Sequence, residues 1–190
     1  VRAFTTHTGG LVPLRRDDVD TDQIIASEWL KRVERTGYGA GLFAQWREDP
    51  AFVLNDPRYA GGSILVAGAG FGCGSSREHA VWALDDYGFR AVVAPSFADI
   101  FRGNAVKCGL LPVVLPAGGV ARLMDLAPAE ATVDLVARRV RCGDVDEPFE
   151  VDDFTRMRLL DGLDDVGLTL RHADDVAAYE ASRPGWLPTV

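Results

Sequence analysis

The sequence contains no run of about 18 apolar residues, the length a membrane-spanning helix requires, and no long apolar stretch follows its opening Val1-Arg2-Ala3-Phe4-Thr5-Thr6. A soluble, cytoplasmic protein without a secretory leader is therefore expected. Cysteine is scarce: Cys73, Cys108 and Cys142 are odd in number, far apart and without C-x-x-C spacing. Three such thiols do not make an iron–sulfur site, so any cluster has to come from another chain. A basic surplus is missing as well. The 20 Lys and Arg residues stand against 28 Asp and Glu, a net charge of -8, which argues against a nucleic-acid or anionic-membrane partner. Arg15-Arg16 and Arg138-Arg139 are expected to be solvated. Pro/Ser-rich linkers and internal repeats are also absent, and 190 residues with 47% hydrophobic content suffice for one core. One domain over residues 1–190 is expected.

What is present concentrates in Val66 to Ala80. Ile64-Leu65-Val66-Ala67 reads as a short strand, Val81-Trp82-Ala83-Leu84 with Tyr87 as a helix face, and Gly88 as its stop. Between them Gly68, Gly70, Gly72 and Gly74 alternate, which lets a backbone turn tightly or approach a ligand closely. Ser75-x-x-Glu78 has the form of a capping box, with Ser75 or Ser76 at the helix N-cap. The free amides of a helix start favour an anion, and the planar fork of Arg77 suits a carboxylate. A dinucleotide or nucleotide site is excluded by spacing. Gly68-x-Gly70 is followed by Cys73 and Gly70-x-Gly72 by Ser75, neither giving G-x-G-x-x-G, and the stretch has no Lys for a phosphate loop. A small carboxylate remains, beside the plainer reading of a Gly-rich turn that binds nothing. Cys73 near a helix start is a candidate nucleophile, but no pattern ties His7, His79 or His172 to it as a base.

Elsewhere, Gly10 to Leu14 reads as a strand and Asp17 to Asp22 as an acidic turn with capping roles, too short to supply the oxygens of a hard cation. Leu42 to Trp46 is expected to be a short helix. Arg90 to Ala94 and Pro112 to Leu115 are expected as strands, giving a parallel βαβ unit. Ser96-x-x-Asp99 should cap a helix that Gly103-Asn104 interrupts and Gly109 ends. Val120, Leu123, Met124 and Ala127 recur at helical spacing as core. Thr132 to Cys142 and Phe149-Glu150-Val151 alternate as strands around Gly143-Asp144, so a mixed sheet is expected. Leu159-Leu160 and Asp174 to Ala181 read as helical cover, before a Pro-rich tail.

Gly72-Cys73-Gly74-Ser75-Ser76-Arg77-Glu78-His79-Ala80 resembles the serine loop of the swivel domain in the aconitase superfamily. Asp18 to Ile25, Ser96 to Phe101 and Asn104 to Pro112 resemble neighbouring segments of that domain. Leu160 to Leu170 and Arg183 to Pro188 resemble the tail of its free-standing bacterial form, the small-subunit family of 3-isopropylmalate dehydratases. The resemblance implies an α/β fold of three layers, β/β/α, with a mixed sheet. It implies a hydro-lyase of leucine biosynthesis that isomerises 2-isopropylmalate to 3-isopropylmalate by dehydration and rehydration, active only with a large subunit. No cofactor would be bound by this chain, the [4Fe-4S] cluster belonging to the large subunit. By the same resemblance Ser75 is the base, Ser76 a hydrogen-bond donor to substrate, Arg77 the carboxylate anchor, and Asp22 lies near the cleft. Trp29, Leu30 and Val33 are candidates for an isopropyl pocket, with core packing the competing reading for Trp29 and Leu30, and Lys31 and Arg32 solvated. Ala26 stands where the family often has proline. His79 is expected to stabilise the loop. A homoaconitase- or citraconate-type subunit and a non-catalytic small-acid binding module are the alternatives.

Overall fold

The computed structural model describes residues 1–31, 36–184 and 186. Its organising strand is β1, Thr6–Leu14, whose two halves behave differently. Residues Thr6 to Gly10 pair antiparallel with β5, Glu130–Asp134, whereas Leu11 to Leu14 pair parallel with β2, Ile64–Ala67. Beyond β2 the parallel half continues with β3, Ala91–Ala94, and β4, Leu111–Val114; beyond β5 the antiparallel half continues with β6, Arg139–Cys142, and β7, Val145–Pro148. Among the described residues these form one seven-stranded sheet in the order β4-β3-β2-β1-β5-β6-β7.

The composition of each half follows from its cover. β2 and β3 are continuous apolar runs with every residue buried, because helices or strands lie on both faces. β5 and β6 alternate between buried and accessible residues, as half-covered strands do. One face of the parallel half carries Val12, Leu65, Ala67 and Val92 against α2, Glu78–Tyr87, and α3, Asp99–Cys108. The other carries Leu11, Ile64, Val66 and Val93 against Val120, Leu123 and Met124 of α4, Ala117–Leu126, in a core shared with Val133, Val140 and Val145 of the antiparallel strands. Helices, parallel strands and antiparallel strands with α4 thus make the three expected layers of a mixed-sheet α/β fold. The remaining helices are α1, Thr21–Ile24; α5, Asp153–Asp161; α6, Asp165–Leu170; and α7, Ala173–Ser182. No helix of the described residues is long and apolar enough to cross a membrane.

Several local expectations are corrected. The capping box at Ser75 does not form: α2 begins at Glu78, and its N-cap is Arg77, in extended conformation and with no side-chain cap. Ser96 does not cap α3 either, because its hydroxyl accepts from the Gly70 amide at 2.9 Å, and the helix starts behind Ala98. Gly103-Asn104 does not interrupt α3; Gly103 is exposed, and a Cβ there would meet nothing within 4 Å, so no neighbour bends the helix. In place of a helix at Leu42 to Trp46 there are turns, with Phe43 at φ 48° and a short 3-10 turn at Trp46–Glu48. Packing overrides propensity there: the Phe43 amide donates to the Ile24 carbonyl at 2.9 Å and its ring stacks on Trp46 and meets Phe52 edge-on. The strand after Gly143-Asp144 is Val145–Pro148 rather than Phe149 to Val151, since Cys142 pairs with Val145 across a two-residue turn. Finally, α7 covers nothing: none of its residues is buried.

Candidate functional site

The C-terminal ends of β1 and β2 lie side by side, Leu14 opposite Ala67, so the segments leaving them emerge at the same sheet edge. These segments are the acidic turn and the serine loop, and backbone hydrogen bonds zip them together. The Gly68 amide donates to the Arg16 carbonyl (3.0 Å), Asp18 to Ala69 (2.8 Å), Gly72 to Val19 (2.7 Å) and Thr21 to Cys73 (2.9 Å). The loop then follows a path open to glycine. Gly72 and Gly74 have φ of 80° and 87°, in the left-handed region, and a Cβ on Gly72 would overlap the Phe101 ring.

Local chemistry explains the acidic motif. Asp20 is the N-cap of α1 and forms a reciprocal capping box with Gln23, its carboxylate accepting from the Gln23 amide at 2.9 Å. This leaves Asp22 in the first turn, facing Arg77, with which it forms an ion pair. The Arg77 side chain is only 18% exposed and Asp22 is 53% exposed, so the guanidinium is held against the protein while the carboxylate reaches to it from the rim. One terminal nitrogen of Arg77 is engaged; the other edge of its planar fork keeps donors for a second carboxylate. Thr21, buried, donates its hydroxyl to the Ser75 carbonyl at 2.9 Å. Because a trans peptide sets its N–H opposite its C=O, that bond turns the Ser76 amide away from the acidic turn. Ser75 and Ser76 are both exposed, and among the described residues neither hydroxyl has a hydrogen-bond partner. The structure thus brings Ser75, Ser76, Arg77 and Asp22 to one rim.

The loop expected to read the substrate leaves from the same rim. Its ends are joined by an antiparallel bridge between Ile25 and Leu42. Trp29 is half-buried, with its ring so close to Gly41 that a side chain there has no room; Leu30 is half-buried beside it. Trp29 therefore packs, in part, as a core residue. Val33 and Arg32 lie outside the described residues. The returning end, Tyr38–Gly41, is clamped to α2: the Gly39 amide donates to the Asp86 carboxylate at 2.8 Å. Beside this clamp the His79 ring packs at a tilt against both Tyr38 and Trp82, with ring centroids 5.4 and 4.6 Å away, a packing position joining the loop to the helix.

The cysteines are not activated. Burial and the neighbouring Asp20 and Asp18 carboxylates push the Cys73 thiol up, and the thiol donates to the Asp18 carbonyl at 3.3 Å, so a nucleophilic Cys73 is disfavoured. Cys108 is pushed up to about 12 by burial and by Glu78. It is expected to resist alkylation by iodoacetamide at pH 8 in the folded protein and to react at a normal rate once unfolded; equal rates in the two states, read by mass spectrometry, would contradict that placement. Among the described residues no group of three or more metal-ligating side chains is assembled, and Cys73, Cys108 and Cys142 sit on a loop, the end of α3 and the end of β6. This set does not fit a cluster.

A cavity of about 850 Å³ lies elsewhere, along Glu78, Trp82 and Asp85 of α2 and across to Arg90, Lys107 and Cys108. Its lining includes Glu78, the residue that follows Arg77.

The family model described as the aconitase C-terminal domain matches residues 1–118, and the model described as the C-terminal domain of the 3-isopropylmalate dehydratase small subunit matches residues 165–190. The 3-isopropylmalate dehydratase small subunit of Parafrankia sp. is 69% identical, over 100% of this chain and 99% of its own length. The chain belongs to the family of 3-isopropylmalate dehydratase small subunits. The small subunit from Thermobifida fusca is 61% identical over 97% of each chain. The crystal structure of 3-isopropylmalate dehydratase from Methanocaldococcus jannaschii matches with a TM-score of 0.72 at 28% identity, covering 92% of this chain and 99% of that one. Within this small-subunit family member, sequence reasoning missed two contributors to the rim. Thr21 sits inside the acidic motif between carboxylates that carry the stronger signal, and Phe101 underlies Gly72 from α3, 29 residues further on.

Proposed function

We propose that this chain is the half-site of a 3-isopropylmalate dehydratase that removes and returns a proton and holds a substrate carboxylate, isomerising 2-isopropylmalate to 3-isopropylmalate in leucine biosynthesis. The observation that carries the reading is the Asp22–Arg77 pair beside two free serine hydroxyls, on a rim open to a second body. In each direction the proton to be removed sits on carbon next to a carboxylate, and its removal is coupled to loss of the hydroxyl as water, leaving an alkene diacid. Ser75 Oγ takes that proton and later returns one to the other carbon. Arg77, oriented by Asp22, takes a carboxylate on its free edge, and Ser76 donates to the substrate from the same turn. A serine is a weak base in water, so its alkoxide needs the Ser76 amide and the guanidinium nearby, and it needs water excluded by a partner closing over the rim. Among the described residues no side-chain set fits a cluster; a [4Fe-4S] cluster on the large subunit would supply Lewis-acid assistance to the departing hydroxyl. Trp29, Leu30 and Val33 are assigned to the apolar side of the substrate. The whole chain, 1–190, is read as one swivel-like unit working in the cytoplasm.

The test is anaerobic conversion of 3-isopropylmalate, followed by the absorbance of the unsaturated diacid, with this chain alone, a reconstituted large subunit alone, and both. Turnover only in the mixture is expected. In the mixture Arg77→Lys is expected to raise KM by about 10- to 100-fold, since a point charge replaces a two-donor edge. Turnover by either chain alone, or an unchanged KM for Arg77→Lys, would overturn the assignment.

A further inference from the structure

The C-terminal helices α6 and α7 leave apolar side chains uncovered, although α6 is tied to the domain through Asp165, which pairs with Arg158 at 2.9 Å and with Lys107 at 3.6 Å. None of their residues is buried, yet they present Val166 (66% exposed), Leu170 (64%), Val176 (42%) and Tyr179 (66%), with Trp186 (81%) beyond them. Their arrangement is regular. Val166 and Leu170 are four residues apart on α6, Val176 and Tyr179 three apart on α7, so each pair shares one helix face. On α7 the acidic Asp175 and Glu180 border that face on either side. An apolar centre with a large aromatic residue and a charged border is the anatomy of a protein interface.

We propose that α6 and α7 dock on the large subunit, against an apolar patch with a basic border; this rests on the two-subunit reading above. Two different family models match the two ends of the chain, residues 1–118 and residues 165–190, and the second begins where α6 begins. The serine loop and the parallel strands fall within a model described as the C-terminal domain of aconitase, whereas residues 165–190 fall within a separate one described as belonging to the small subunit. A fold that is one domain of a longer chain is kept beside its catalytic partner by covalent connection. A separate subunit loses that effective concentration and has to regain it through contact area. The helices that the structure leaves bare are those that accompany the separate form.

The experiment compares the full-length chain with full-length Val176→Glu/Tyr179→Glu, far from the serine rim in sequence and absent from the core, each titrated against the reconstituted large subunit. Sedimentation gives the association, and anaerobic turnover is measured at low and at saturating large subunit. The double variant is expected to bind at least tenfold more weakly while keeping its kcat at saturation and its melting temperature. A second variant, Leu170→Ala, should weaken binding in the same direction without introducing charge. Unchanged association for both variants overturns the proposal, as does a wild-type chain that forms no complex. So does loss of self-association alone, which would assign the face to a second copy of this chain. A wild-type complex that binds through these helices but does not turn over isopropylmalate would leave the docking standing and remove the substrate reading instead.

Discussion

Ser75→Ala is expected to lower kcat of the assembled enzyme by about 10²- to 10⁴-fold, the range for removing a positioned acid or base, while substrate affinity stays within about twofold. The structure makes this substitution unusually clean. The Ser75 side chain is exposed and its hydroxyl supports nothing in the described residues, whereas the interaction that shapes the loop, Thr21 to Ser75, uses the backbone carbonyl, which alanine retains. The melting temperature should therefore move by no more than about 2 °C, as for surface substitutions generally. The proposed function gives binding to Arg77 and Ser76, so a loss of affinity with normal kcat would exchange the roles assigned to Ser75 and its neighbours. A fall in kcat smaller than tenfold would leave the proton without its acceptor on this chain.

Gly72→Ala should be strongly destabilising for a single added methyl. Two costs act at once. At φ 80° a side chain meets its own carbonyl, which costs roughly 1–2 kcal/mol. The new Cβ also falls inside the Phe101 ring, and that ring cannot yield easily: it is buried, stacked on Phe97 and set edge-on to Phe71. Overpacking of this kind costs about 1–3 kcal/mol. Together these predict a melting temperature lower by roughly 5–15 °C for a chain of this size. The loop that is displaced is the one delivering Ser75 and Arg77, so activity at about 20 °C, well below the transition, should fall as well. Thermal denaturation by circular dichroism checks the first effect; a shift below about 2 °C would mean that the loop relaxes away from Phe101 without strain.

Much of the site could be read from residues alone because its parts are local. Three of the four alternating glycines, Gly70, Gly72 and Gly74, take positive φ, and Asp20 of the acidic turn has the capping role expected of that turn. Three of the departures share one cause: a residue with a strong local preference is held by a distant partner. Ser96 looked like a helix cap and instead holds the Gly70 amide; Ser75 looked like another and is drawn out of the helix by Thr21. Phe43, in what looked like a helix, is fixed by Ile24, Trp46 and Phe52 in a turn. Trp29 illustrates an ambiguity that composition cannot resolve, because an indole can pack on Gly41 with one edge and face a ligand with the other.

The division of β1 also bears on the order in which the chain can be assembled. Leu11 to Leu14 meet their parallel partner once residues 64–67 exist, but Thr6 to Gly10 pair with Glu130 to Asp134, made more than a hundred residues later. During synthesis the growing protein therefore carries an open strand edge at its own beginning until most of it has left the ribosome. The surface that presents the acidic turn and serine loop can close early, whereas the half of the sheet that seals the core beneath it is completed last.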